Sequence, residues 1–347
     1  MNSVRRQTGF TLVETLVALA VLLVVGGIVT TGMFQLMKTQ NTIANRTEMH
    51  TSVRSATELL QQEIGQAGRV SVGPPNVSVT MAAVTAGSQS ITLTPSTATV
   101  YPGEVLTVDV GSNQETVTVT GTASAPTATF VNTHSSNTTP VMVLGAFGTG
   151  VVPPAASALT DPNGQCVASS VTVSGQTFNY AGYSAPSPGT GVGSTCEVLK
   201  LYGDINGDGN MVYVEYTCSQ SSNTASPGFL YRQEVLFGGT KNTTSPLPGS
   251  FVLLNNVMVN PNDLNGNQVP CFRYQVQPLL NGWVVTDVAV TLTVQTQNID
   301  PVTHTNQQET KALLNISPRN VFEVFDTAKM VDSTRAQAMP PAVASLL

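Results

Sequence analysis

The chain has 347 residues with 14 basic and 20 acidic side chains, a net charge of −6, and 10% charged against 41% hydrophobic residues. An ordinary soluble domain has about 25% charged residues. The shortage of Lys and Arg excludes bulk electrostatic binding of nucleic acid, and moderate hydrophobicity with low net charge excludes a charge-driven disordered chain.

From Phe10 to Met37 the only charged side chain is Glu14, and about 20 apolar residues suffice to span a bilayer. Arg5 and Arg6 precede this run, so the positive-inside rule keeps residues 1–9 cytoplasmic and exports the chain beyond Met37. A secretory signal would carry small residues at a cleavage site after the run. None is found there, and the polar-to-apolar junction reads Gly9-Phe10-Thr11-Leu12-Val13-Glu14. A carboxylate inside a membrane segment costs on the order of 3 kcal/mol unless partnered, which makes Glu14 a functional-site candidate, with an acid snorkelling to the interface as the alternative.

The basic leader, the Gly9–Phe10 junction, Glu14 and the long apolar run resemble the amino-terminal signature of the type IV pilin-like superfamily. The resemblance implies cleavage after Gly9 by a membrane prepilin peptidase, which then methylates the new amino group of Phe10. It also implies that Glu14 pairs, in a filament, with the amino terminus of a neighbouring subunit. Opposite charges in low dielectric offset part of each other's desolvation. Cleavage removes two of the 14 basic residues, Arg5 and Arg6, and moves the net charge from −6 to −8.

Beyond Lys38 the helical pattern continues with a new face. Met49, Val53, Ala56, Leu60, Ile64 and Ala67 recur at steps of three and four, the signature of an amphipathic helix. Lys38, Arg46, Glu48, Arg54, Glu58, Glu63 and Arg69 fill the intervening, solvent-facing positions. One helix from Phe10 to about Gly68 would be roughly 90 Å long. Gly26-Gly27 lies mid-span, as a loosened point or a close helix–helix contact.

After Gly68 short alternating runs broken by Gly, Pro and Asn predict strands at 77–84, 90–93, 105–110, 116–120, 128–131 and 141–144. They form a Thr/Val-rich block in which His134 reads as a turn or surface residue. After a loop-rich stretch at 154–197, strands are expected at 198–202, 211–217, 229–236, 251–259, 271–279, 283–296 and 308–316. The late strand at 284–297, the polar loop at 300–308 and the closing Pro-Arg-Asn resemble the W-type minor pilins and J-type minor pseudopilins.

Cys166, Cys196, Cys218 and Cys271 contain no C-x-x-C pair. Their even number suits two disulfides in an oxidising compartment, with four separate buried thiols as the alternative. Of the three connectivities, nearest neighbours are Cys166 with Cys196 and Cys218 with Cys271. The run Asp204-Ile205-Asn206-Gly207-Asp208-Gly209-Asn210, with Glu215 beyond, fits a calcium-loop spacing. Its flanks read as strands, which would carry Glu215 on the order of 15–20 Å away. Asp204, Asn206, Asp208 and a carbonyl near Asn210 are the candidate calcium ligands. A hairpin turn is the competing reading. No other cofactor is implied.

The three histidines, His50, His134 and His304, are scattered, and neither a Gly-x-Ser-x-Gly elbow nor a phosphate loop occurs. The sequence therefore predicts no catalytic residue and no enzyme. The expected fold is α+β and pilin-like, a long amino-terminal helix packed on an antiparallel β-rich head. The expected segments are a leader at 1–9, helix at 10–69, β block at 70–153, Cys-containing head at 154–325 and a flexible tail at 326–347. The expected function is a minor pilin-like subunit of a type IV pilus or its priming tip complex. A minor pseudopilin of type II secretion and a filament-tip adhesin are the alternatives. Expected partners are the prepilin peptidase/methyltransferase, other pilin-like subunits and inner-membrane lipid, with the head periplasmic and no nucleic acid bound.

Overall fold

The computed structural model describes residues 11–68, 78–96, 98–122, 124–135, 139–143, 146–147, 150–152, 171–173, 176–178, 197–207, 210–244, 247–262, 264, 268–279, 282–319, 336–337 and 340–346. Helix α1 (Leu12–Gln66) contains 55 residues, about 80 Å at 1.5 Å per residue. The chain divides into two compact units, Met1–Thr51 with Thr296–Gln308, and Ser52–Gln295 with Glu309–Leu347.

In the first unit the loop Thr296–Gln308 is fastened to α1 by polar side chains. The Thr42 hydroxyl donates to Asp300 Oδ1 at 3.0 Å, Arg46 Nε donates to the Gln307 side-chain carbonyl, and Asn298 Nδ2 donates to Asn45 Oδ1 at 3.3 Å. Asp300 is buried. The Val302 amide and the Thr42 hydroxyl hold its carboxyl below the usual range, against the opposing effect of burial.

In the second unit α1 buries the face its periodicity marks: Val53, Ala56, Leu60, Ile64 and Ala67 are all 2% exposed or less. The head consists of β1 (Thr80–Met81), β2 (Gly87–Ser90), β3 (Leu93–Thr94), β4 (Val105–Val108), β5 (Glu115–Thr118), β6 (Thr120–Thr122), β7 (Ala125–Phe130), β8 (Thr139–Val143) and β9 (Ala146–Phe147). It continues with β10 (Val171–Val173), β11 (Gln176–Phe178), β12 (Val198–Gly203), β13 (Val212–Ser219), β14 (Gly228–Leu236), β15 (Val252–Met258), β16 (Phe272–Leu279), β17 (Gly282–Gln295), β18 (Gln308–Ile316) and β19 (Ala336–Gln337). A short helix α2 (Pro341–Ala344) closes the described chain.

A five-stranded sheet ordered β3-β1-β8-β4-β5 and a three-stranded sheet ordered β2-β7-β6 enclose one core, with Met81, Leu106, Val108, Val117, Ala128 and Phe130 at its centre. The larger sheet is an antiparallel array ordered β12-β13-β14-β15-β17-β16, with β18 also paired to β17. Alternation makes its strands legible, and β18 falls where the sequence places it, at 308–316. The block is harder to read. What looks like one strand at 90–93 is split between β2 and β3, which belong to different sheets.

Helix α1 leaves the core through a crossing of Gly68, Gly150 and Gly203. The Gly68 amide donates to the Tyr202 carbonyl at 2.8 Å, and the Tyr202 amide donates to Gly150 at 2.7 Å. Gly150 has φ 67°, and a Cβ there would stand 1.8 Å from the Gly68 nitrogen. Only glycine allows backbones this close in that conformation.

Within the carboxyl-terminal stretch, the described Val343 and Leu346 pack with Tyr101, Val152, Tyr202, Tyr213 and Val235. The structure corrects two sequence expectations. Glu63, expected on the solvent side, is 4% exposed. Its carboxylate accepts hydrogen bonds from Arg232 Nη2 at 2.5 Å, Arg232 Nε at 3.0 Å and the Tyr216 hydroxyl at 2.5 Å. Tyr216 and Arg232 face each other across β13 and β14, so one helix residue ties α1 to two strands. Finally, His134 is 1% exposed rather than superficial, held between two carboxylates.

Candidate functional site

Glu14 stands in the first turn of α1, and Thr11 occupies the position before that turn. The Thr11 amide and hydroxyl both donate to Glu14 Oε2 at 2.9 Å, and the Glu14 amide donates back to Thr11 Oγ1 at 3.4 Å. This reciprocal capping box satisfies two backbone N–H groups that a helix start leaves open. It also sets a negative charge at the positive end of the helix dipole. Reading Glu14 only as an intramembrane acid overlooks Thr11, although the Thr-x-x-Glu spacing signals this cap. Gly9 and Phe10 lie outside the described residues.

Beyond the cap, apolar side chains project on every side of α1. Sixteen large ones between Leu12 and Met37 are each more than half exposed. Burying one such side chain is worth about 1.5–3 kcal/mol, so leaving this surface in water would cost tens of kcal/mol. Thr30 and Thr31 do not spoil the apolar rod, because their hydroxyls donate to the Gly26 and Gly27 carbonyls at 2.7 and 2.8 Å. Such internal satisfaction is what a hydrocarbon surrounding demands. The helix runs unbroken through Gly26-Gly27. Length and apolarity qualify it to cross a membrane.

The other residues singled out by sequence fall in the head. Asp204 and Asn206 lie in the turn between β12 and β13, where the Gly207 amide donates to the Asp204 carbonyl at 3.3 Å and Gly207 has φ 68°. Asn206 Nδ2 donates to Glu234 Oε1 at 3.1 Å; Asn210 precedes β13, and Asp208 is outside the described residues. Glu215 is engaged elsewhere, accepting from the Tyr213 hydroxyl at 2.5 Å and Lys241 Nζ at 3.1 Å, with Lys200 Nζ at 3.9 Å. Burial lowers the Lys200 ammonium to about 8.

Cys218 and Cys271 form a disulfide with a Cα–Cα distance of 6.4 Å; Cys166 and Cys196 lie outside the described residues. Glu197 approaches this bridge and accepts Gln220 Nε2 at 2.9 and 3.1 Å. Burial pushes the Glu197 carboxyl up to about 7, against the hydrogen bonds from Gln220 and the Cys271 amide. Both sulfurs are bonded to each other, so they offer no pair of thiolates to a metal.

The family model for the prokaryotic N-terminal methylation motif matches residues 4–30. The match covers the leader, the junction, the capping box and the first turns of the apolar rod, and it supports a type IV pilin or pseudopilin-like chain. It points to a structural subunit rather than an enzyme, processed by a prepilin peptidase and assembled with other pilin-like subunits. With the one membrane-length apolar helix among the described residues, it fits a single-pass membrane anchor. No curated protein and no solved structure matches the chain.

Proposed function

We propose that this chain is a minor pilin-like subunit, cut after Gly9, methylated at Phe10 and built through α1 into a type IV pilus or its priming tip complex. The observation that carries the reading is the exposed apolar rod from Leu12 to Met37, headed by one acid and matched by the methylation motif over residues 4–30. In the membrane, lipid covers the rod; in a filament, the rods of neighbouring subunits do so. Glu14 then exchanges the Thr11 cap for the methylated amine of a neighbour, or shares itself between them. A minor pseudopilin of type II secretion would use the same steps. Loss of pili against loss of secretion, after deletion of the gene, separates the two.

The test has two arms. Gly9→Ala blocks processing, so the full-length precursor accumulates in the membrane fraction. Mature-sized product from that variant would sink the proposal. Glu14→Val is processed normally but incorporates poorly into sheared filaments, and wild-type incorporation would refute the pairing role. A tip adhesin, favoured by the uncharged Thr/Val surface of the block, predicts instead that deletion leaves filament number intact and removes attachment.

A further inference from the structure

The β block contains one buried ionic cluster that the assembly function does not use. The His134 side chain is fully buried, with Nδ1 2.9 Å from Asp109 Oδ2 and Nε2 2.6 Å from Glu115 Oε1. Asp109 follows the end of β4 in a left-handed conformation, φ 67°, with its other oxygen accepting the Val110 amide at 2.8 Å. Glu115 opens β5 and accepts the Val131 and Asn132 amides at 2.7 and 3.1 Å. His134 itself exchanges two backbone hydrogen bonds of 2.9 Å with Val84, and the Phe130 ring meets its imidazole edge-on. The tip between β4 and β5 is thereby fastened to the segment leaving β7 on its Glu115 side by the Val131 and Asn132 amides and by Asn132 Nδ2, which donates to the Asn113 carbonyl at 3.4 Å, and on its Asp109 side by the imidazole.

The chemistry of that imidazole is one-sided. A protonated ring donates from both nitrogens, whereas a neutral ring has one N–H and one lone pair. Without the second proton, one carboxylate would face a lone pair in a buried setting, and two acids would share the site without a cation. Sequence supplies no substitute, since neither Lys nor Arg occurs between Arg69 and Lys200. Among the described residues the charged groups facing His134 are Asp109, just beyond β4, and Glu115 from β5. The β7 side contributes Phe130, and the segment of Val84 contributes backbone. Glu104, the remaining acid among the described residues of the block, accepts the Tyr101 amide instead, at 3.1 Å.

Burial works against a charged His134, but the hydrogen bonds and charges of Asp109 and Glu115 outweigh it and raise the ring above 6.5. The His134 hydrogen bond lowers Asp109 below 3.8; Glu115 is held below 4.5, against burial, by the Val131 amide and His134. A raised histidine stabilises the fold fully below its unfolded value, and the effect is lost as pH climbs through the folded value. Lowered carboxylates contribute fully above their unfolded values and lose that on acidification. The cluster is therefore tightest between about 4.5 and 6.5.

We propose that Asp109, His134 and Glu115 form a proton-operated clasp, closed while the imidazole is charged and releasing the β4–β5 tip when it becomes neutral. Release would leave the Asp109 and Glu115 carboxylates without their cation, beside Val110 and Val131, which are 61% and 80% exposed. The clasp concerns the exported block alone and stands whether or not the chain assembles as proposed.

The experiment uses the full-length protein in detergent micelles with 15N-labelled histidine. Among the three histidine signals, the one missing from His134→Gln should titrate above the ordinary value of about 6.5. Hydrogen exchange, corrected for intrinsic rate, should rise about tenfold per pKa unit of coupling for amides of 109–115 and 131–134 as that signal deprotonates. Amides of β13 and β14 serve as the unchanged reference. In Asp109→Asn with Glu115→Gln, tip exchange should lose its dependence on the histidine. A His134 that titrates at or below 6.5, or tip exchange that stays flat through its titration, overturns the clasp. If His134→Gln fails to fold, His50→Gln and His304→Gln assign the other two signals, and the remaining wild-type signal is that of His134.

Discussion

Arg232→Met tests the joint between α1 and the sheet. The substitution keeps most of the aliphatic stem and removes the guanidinium that makes three contacts of 2.5–3.3 Å with Glu63. Glu63 remains buried, with only the Tyr216 hydroxyl as partner at 2.5 Å. Stranding one member of a buried pair costs about 3–5 kcal/mol. The Arg232 side chain is 22% exposed and Glu63 only 5%, which places the loss near the lower end, about 3 kcal/mol. For a unit of this size, 1 kcal/mol moves the midpoint by about 2–4 °C, so a fall of about 6–12 °C is expected. Near-ultraviolet circular dichroism of the full-length protein in micelles measures it. Glu63→Leu with Arg232→Met should recover part of the loss, because apolar replacement of both partners is close to neutral but leaves the buried Tyr216 hydroxyl without its acceptor, at a cost of about 1–3 kcal/mol. A single-variant loss under about 1 kcal/mol would put the pair with exposed salt bridges. That result, or a double variant as unstable as the sum of the singles, would refute the reasoning.

Two further perturbations read the head independently. Serine at both Cys218 and Cys271 opens a link between residues 53 apart, worth about 4 kcal/mol by loop entropy; a midpoint unchanged from the oxidised wild type would contradict this. Gly150→Ala pushes a Cβ against the Gly68 backbone at 1.8 Å and should reduce the yield of protease-resistant protein several-fold. Wild-type resistance would show that the crossing can relax.

Much of this molecule is written locally in its sequence. The apolar rod, the buried face running from Met49 to Ala67 and the long alternating strands β13, β14 and β18 come from periodicity, which each segment carries within itself. The Thr11–Glu14 cap is equally local, four consecutive residues whose spacing contains the answer. Periodicity cannot supply the partner of a charge. Glu63 looks like any other solvent-facing acid of α1 until Arg232, 169 residues away, arrives on β14. His134 is a lone histidine in a Thr-rich string until the fold sets Asp109 and Glu115, 25 and 19 residues distant, on its two nitrogens. Val343 and Leu346 carry no usable period, and their burial depends on packing against Tyr101, Tyr202 and Tyr213. The sequence by itself determined that the chain has a membrane-length apolar helix and a β head, because those are properties of segments. Tertiary structure alone decided which charges are buried and with whom, because burial and pairing exist only once distant segments share a core.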